Sequence, residues 1–101
     1  MTIIRYLLRY MSVPMPTNWS VYIIEADDAS YYTGISTNVE RRFEEHKGKP
    51  QGAKFFNGRK PVAVVLEENG YNRSEASKRE AEIKKLTRKQ KIALIGSARD
   101  G

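Results

Sequence analysis

Cysteine is absent from the 101 residues, which excludes disulfides, thiolate metal centres and thiol nucleophiles. A single histidine, His46, rules out a multi-histidine metal site. Only three aspartates are present, and Asp27 and Asp28 are neighbours, which argues against a carboxylate-rich two-metal centre. Long apolar runs are also missing. Ile3, Ile4, Leu7, Leu8 and Met11 recur at helical spacing, but Arg5 and Arg9 interrupt them and Pro14 and Pro16 end the pattern. That stretch is too short to span a bilayer and is a poor fit to a signal peptide. There is no internal repeat and no low-complexity segment. What survives is chemistry that Tyr, Arg, Lys, Glu, one His and an oxygen-bound cation can perform.

The length suits one compact domain, and 40% hydrophobic with 30% charged residues is an ordinary soluble composition. The net charge is +6. Residues 1–50 hold six Lys/Arg against six acids and residues 51–101 hold twelve against six, so the excess lies in the second half. A basic balance of this kind favours a polyanionic partner. Residues 1–17 read as an N-terminal extension, helical or upstream of the true start, since Met11 and Met15 could each begin the chain. Residues 18–96 read as the domain and 97–101 as a short C-terminal tail.

Val21 to Ala26 and Tyr31 to Gly34 are β-rich around a turn at Asp27 to Ser30, predicting a hairpin. Ser36, Thr37 and Asn38 offer caps for a first helix over Asn38–Lys47, with Thr37 and Glu40 at capping-box spacing. Residues 49–60 read as a loop in which Phe55 and Phe56 tuck against the body. The continuous apolar run Val62 to Leu66 predicts a central strand buried on both sides, and Asn69-Gly70 a turn. Asn72 caps a second helix over Glu75–Leu86. Thr87 and Gln90 open a third over Arg88–Ile95, stopped by Gly96. The predicted fold is α+β, ordered ββαβαα, with a small, mainly antiparallel three-stranded sheet flanked by helices.

Two placements are unusual for structure alone. On the first helix Arg42 and His46 share the face of Val39 and Phe43, while Arg41, Glu44, Glu45 and Lys47 look outward. Their ordinary reading is a snorkelling arginine and an edge histidine; their chemical reading is two groups pointed into the space between helix and sheet. On the second helix Glu80 stands beside the apolar stripe of Ala76, Ile83 and Leu86, where a carboxylate needs a partner such as Lys84 or a metal ion. Tyr22, Tyr31 and Tyr32 gather on the hairpin, and a nearby cation would be needed to make a phenol a proton acceptor. Lys54, Lys78, Arg79, Lys84, Lys85, Arg88, Lys89 and Lys91 are the candidate phosphate contacts, supplying affinity and not base specificity.

Val21-Tyr22-Ile23 followed by Tyr32-Thr33-Gly34 resembles the two-part signature of the GIY-YIG nuclease superfamily, closest to its short single-domain branch. Arg42 stands ten residues after Tyr32, where the family carries its catalytic arginine, and His46 stands where members carry His or Tyr. The stretch Glu80 to Leu86 is similar to the helix bearing the family's metal-binding glutamate. Departures are visible too: Ser20 and Thr33 replace a Gly and an Ile of the motifs, Ile35 stands where some members have Lys, and no late asparagine is found.

The resemblance implies a metal-dependent endonuclease or nickase that hydrolyses DNA phosphodiesters with one divalent cation, Mg²⁺ or Mn²⁺. Tyr22 or Tyr32 would deprotonate water, Arg42 would steady the phosphate, His46 would assist, Glu80 would hold the metal and Gly34 would permit tight backbone. A catalytically weak or inactive nucleic-acid-binding module is the alternative, and a protein-interaction domain a third reading. DNA, branched or single-stranded, is the expected partner, with RNA left open. A cytoplasmic monomer or weak dimer serving DNA repair or recombination would go with that activity.

Overall fold

The structure is a computed structural model that describes residues 15–48 and 50–100; the helical pattern read over residues 3–11 lies outside them. In chain order the elements are β1 (Trp19–Ala26), β2 (Tyr31–Ser36), α1 (Val39–His46), a 3-10 turn (Lys54–Phe56), β3 (Pro61–Tyr71), α2 (Arg73–Lys84) and α3 (Arg88–Asp100). The strands form one sheet in the order β2-β1-β3, and both pairings are antiparallel. This is the expected α+β architecture in the order ββαβαα.

β1 is the centre of the molecule. Val21, Tyr22, Ile23 and Ile24 are each at most 1% exposed, because successive side chains of a middle strand enter opposite layers. Val21 and Ile23 pack with Leu66, with Ala76 and Ile83 of α2 and with Ile95 of α3. Tyr22, Ile24 and Ala26 pack with Val39 of α1 and with Phe56. The β1–β2 connection turns through Ala29 at φ 68°, with the Ala26 N–H donating to the Ser30 carbonyl at 2.8 Å.

The central strand is therefore β1, and the apolar run in β3 lies at an edge, which corrects the reading of Val62 to Leu66. The physical reason lies in the register. Along β3 the pairing slips at three places, between Trp19 and Val21, Ile23 and Ile24, and Glu25 and Ala26 of β1. Each slip lets an extra β3 residue bulge out, so eleven residues pair with eight and strict alternation is lost. Val62 is left 58% exposed as a result. Asn69-Gly70 is likewise inside β3 and makes no turn there. Gly70 adopts φ 88° at one of the slips, and Asn69 Oδ1 accepts from the Ser20 hydroxyl.

Helix boundaries follow side-chain caps. Asn38, not Thr37, caps α1, accepting from the Arg41 N–H at 3.0 Å. Asn72 and Glu75 form a reciprocal capping box on α2, at 2.8 and 2.9 Å. Thr87 and Gln90 do the same ahead of α3. Gly96 does not stop α3, which continues to Asp100. Nothing after Gly96 breaks a helix, and an internal glycine costs only about 1 kcal/mol relative to alanine.

Candidate active site

Tyr22 of β1 stands directly opposite Gly34 of β2. A Cβ on Gly34 would lie 2.6 Å from the Tyr22 hydroxyl and 2.7 Å from its Cζ, so the missing side chain is the space the phenol occupies. Gly34 lies outside the left-handed region. Its requirement is room for Tyr22, which corrects the reading of a backbone constraint.

The Tyr22 hydroxyl sits 3.1 Å from Nε2 of His46, at the end of α1. His46 is 2% exposed, and its Nδ1 accepts from the Ala53 N–H at 3.1 Å. Around it stand Phe56, at 4.7 Å between ring centroids, and Tyr32, at 5.1 Å in an edge contact. Burial, reinforced by the positive charge of Arg42, lowers the His46 pKa to about 4, so the ring is neutral at physiological pH. Burial, then the adjacent Tyr32, pushes the Tyr22 hydroxyl well above its ordinary value. The positive charge of Arg42 opposes this, whereas the negative charge of Glu80 adds to it.

Arg42 lies one helical turn before His46, and its side chain is partly buried at 28% exposure. Its Nη1 donates to Glu45 Oε1 at 2.9 Å and to the carbonyl of Gln51. Glu45 therefore grips the arginine and is not part of a merely solvated face. On α2, Ala76 and Ile83 are fully buried and Glu80, between them in sequence, is 22% exposed, with Lys84 Nζ at 3.4 Å.

No group of three or more His, Cys, Asp or Glu converges among the described residues. A single carboxylate, half-buried and electrostatically coupled to a phenol, nevertheless suits a hard cation such as Mg²⁺. That ion takes one or two carboxylates and fills its remaining positions with water and substrate phosphate.

The structure thus brings Tyr22, Arg42 and His46 together, sets Tyr32 against His46 and Gly34 under Tyr22, and puts Glu80 within electrostatic reach. Sequence reasoning missed Glu45, Gln51 and Ala53. The Arg42–Glu45 spacing of three on a helix was a usable signal. The other two act through backbone groups, which no side-chain pattern announces.

The candidate phosphate contacts divide by circumstance. Lys54, Lys78, Lys85 and Lys89 are exposed, and Lys91 is half-buried. Arg79 is committed to Glu68 by two bonds at 2.8 and 3.0 Å. Arg88 lies over the Tyr31 ring and donates to the Ala29 carbonyl at 2.7 Å, while Lys84 sits on Glu80.

Sheet topology and element order define a small α+β domain, a three-stranded antiparallel sheet flanked by helices. The GIY-YIG catalytic domain matches residues 18–93, and the chain belongs to the GIY-YIG family, a nuclease superfamily. It is 43% identical over 83 residues to a UPF0213 protein of Desulfotalea psychrophila, covering 82% of this chain and 76% of that one. A UPF0213 protein of Halobacterium salinarum is 49% identical over 75 residues, 74% of this chain and 96% of the relative. The solution NMR structure of the UPF0213 protein BH0048 from Bacillus halodurans is similar with a TM-score of 0.50 and 38% identity, over 77% of this chain and 82% of that one. Among the described residues no helix is long and apolar enough to cross a membrane.

Proposed function

We propose that this protein is a metal-dependent endonuclease or nickase that hydrolyses DNA phosphodiesters. The observation that carries this reading is the Tyr22–His46 pair beside Arg42, with Glu80 acting electrostatically on the same phenol.

Glu80 would hold the divalent cation, Mg²⁺ or Mn²⁺, which would supply positive charge to the scissile phosphate. The chain's own groups do the rest. The Tyr22 oxygen, once ionised, takes a proton from the attacking water as that water's oxygen bonds to phosphorus. The bond to the leaving oxygen breaks with its electron pair, and that oxygen is protonated from solvent. Arg42 donates to the phosphate oxygens as charge accumulates on them. Tyr22 is the favoured base because it alone of the two motif tyrosines bonds His46; Tyr32 only packs against the ring. Phe55 and Phe56 help exclude water from the His46 side.

The test is to incubate the purified protein with supercoiled, branched and single-stranded DNA, in Mg²⁺, Mn²⁺ or chelator, beside Arg42→Ala and Glu80→Ala. Metal-dependent cleavage lost in both variants supports the reading. Equal cleavage by wild type and variants points to a contaminant and overturns it. Tight, salt-sensitive binding without cleavage overturns it in favour of a binding module.

A further inference from the structure

We infer that the backbone N–H of Ala53 is a positioning group for the proposed reaction: it fixes His46 as the Nε2–H tautomer, so that His46 donates a hydrogen bond to Tyr22 and never takes its proton. The catalytic meaning rests on the nuclease reading; the tautomer itself does not.

A neutral imidazole has one N–H and one bare nitrogen, and the bond made by one determines the role of the other. A backbone amide can only donate. With the Ala53 N–H at 3.1 Å from Nδ1, that nitrogen carries the lone pair, and the ring proton is on Nε2, facing the Tyr22 oxygen at 3.1 Å. Burial at 2% exposure keeps water from offering either nitrogen another partner.

Two roles for a histidine beside a phenol are thereby separated. As an acceptor it would draw off the phenolic proton and become imidazolium. As a donor it leaves the phenolic hydrogen pointing elsewhere and stabilises the phenolate when it forms. The geometry selects the second, in which Tyr22 keeps His46 and Arg42 as stabilising groups. Ala53 can serve because it precedes the 3-10 turn in extended backbone, φ −68° and ψ 147°, where its N–H has no helical partner. Two residues earlier the Gln51 carbonyl accepts from Arg42, so neighbouring backbone groups orient two side chains of one site.

Because the chain contains a single histidine, the tautomer can be read without ambiguity from the imidazole nitrogens of ¹⁵N-labelled full-length protein at pH 7. The expected spectrum has a bare-type Nδ1 and a protonated-type Nε2; the opposite tautomer, or an averaged mixture, overturns the inference. Ala53→Pro removes the donor where the existing φ is already that of proline, and Ala53→Ser keeps it. The proline variant is expected to show mixed tautomers and cleavage reduced roughly tenfold or more, the scale of a buried hydrogen bond left unmade. The serine variant should match wild type in both. An unchanged tautomer in a folded Ala53→Pro protein, or mixed tautomers with full cleavage, overturns the inference while leaving the nuclease reading intact. If Ala53→Pro does not fold, the wild-type spectrum alone decides the tautomer. Absence of cleavage by wild type on any substrate would remove the nuclease reading and with it the catalytic role of Ala53.

Discussion

At the scale of single residues, Tyr22 and Gly34 form one packing unit split between two strands. Gly34→Ala places a methyl 2.6 Å from the phenolic oxygen, and both neighbours are held by the sheet. Overpacking of this kind costs about 1–3 kcal/mol. The variant should melt at lower temperature in calorimetry and lose cleavage through displacement of Tyr22. Tyr22→Phe keeps the ring and removes only the hydroxyl: the buried His46 Nε2–H loses its acceptor, a cost of about 1–3 kcal/mol that lowers the melting temperature, while the cleavage rate falls by roughly 10²–10⁴ in protein that is still folded. Since burial raises the Tyr22 pKa, the ionised base is scarce at neutral pH. The single-turnover rate of wild type should therefore climb with pH from 7 to 9, by about tenfold per unit at most. A rate flat across that range would remove Tyr22 from the role of base.

At the scale of elements, what the sequence disclosed and what it hid have separate physical causes. Helix starts were readable because a cap is local chemistry: Asn72 with Glu75, and Thr87 with Gln90, announce themselves at a spacing of three. The hairpin was readable for the same reason, since strand alternation is a property of short segments, whereas the candidate set of Tyr22, Arg42, His46 and Glu80 was read from the order of the motifs that carry the family resemblance. The identity of the central strand was not. β1 and β3 are both apolar runs, and which one lies between two neighbours depends on long-range pairing and on bulges that no periodicity records. Asn72→Ala should lower stability by about 1 kcal/mol in denaturant unfolding with little change in cleavage by the folded protein, because the lost cap frays only the first turn of α2, about two turns before Glu80. The Glu68–Arg79 pair joins β3 to α2 and holds the Glu68 carboxyl below its ordinary value. Its stabilisation is complete above the unfolded carboxylate pKa and is lost as the pH falls through the folded one. Glu68→Gln should consequently show a shallower decline of melting temperature than wild type on acidification below pH 5.

At the scale of the whole molecule, the net charge of +6 arises from the second half of the chain, yet not every cation there is free. Arg79, Arg88 and Lys84 have partners within the fold, which leaves Lys54, Lys78, Lys85 and Lys89 as exposed candidates. If these four neutralise phosphates, the logarithm of the binding constant for duplex DNA should fall with the logarithm of salt at a slope of roughly −3.6. Each Lys→Ala change would reduce that slope by about one unit, measurable by fluorescence anisotropy across a salt series.

The irregular register of β3 has a consequence for the molecule in a crowded solution. An edge strand offers its unpaired amides and carbonyls to any extended chain that meets it, the first step towards aggregation. β3 is eleven residues long and apolar at Val62, Val64 and Val65, and would be a sticky edge if it were flat. Its three slips against β1 break the even spacing that an incoming strand needs. The bulges that hid this strand's position from the sequence pattern thus also protect its outer margin from intermolecular pairing.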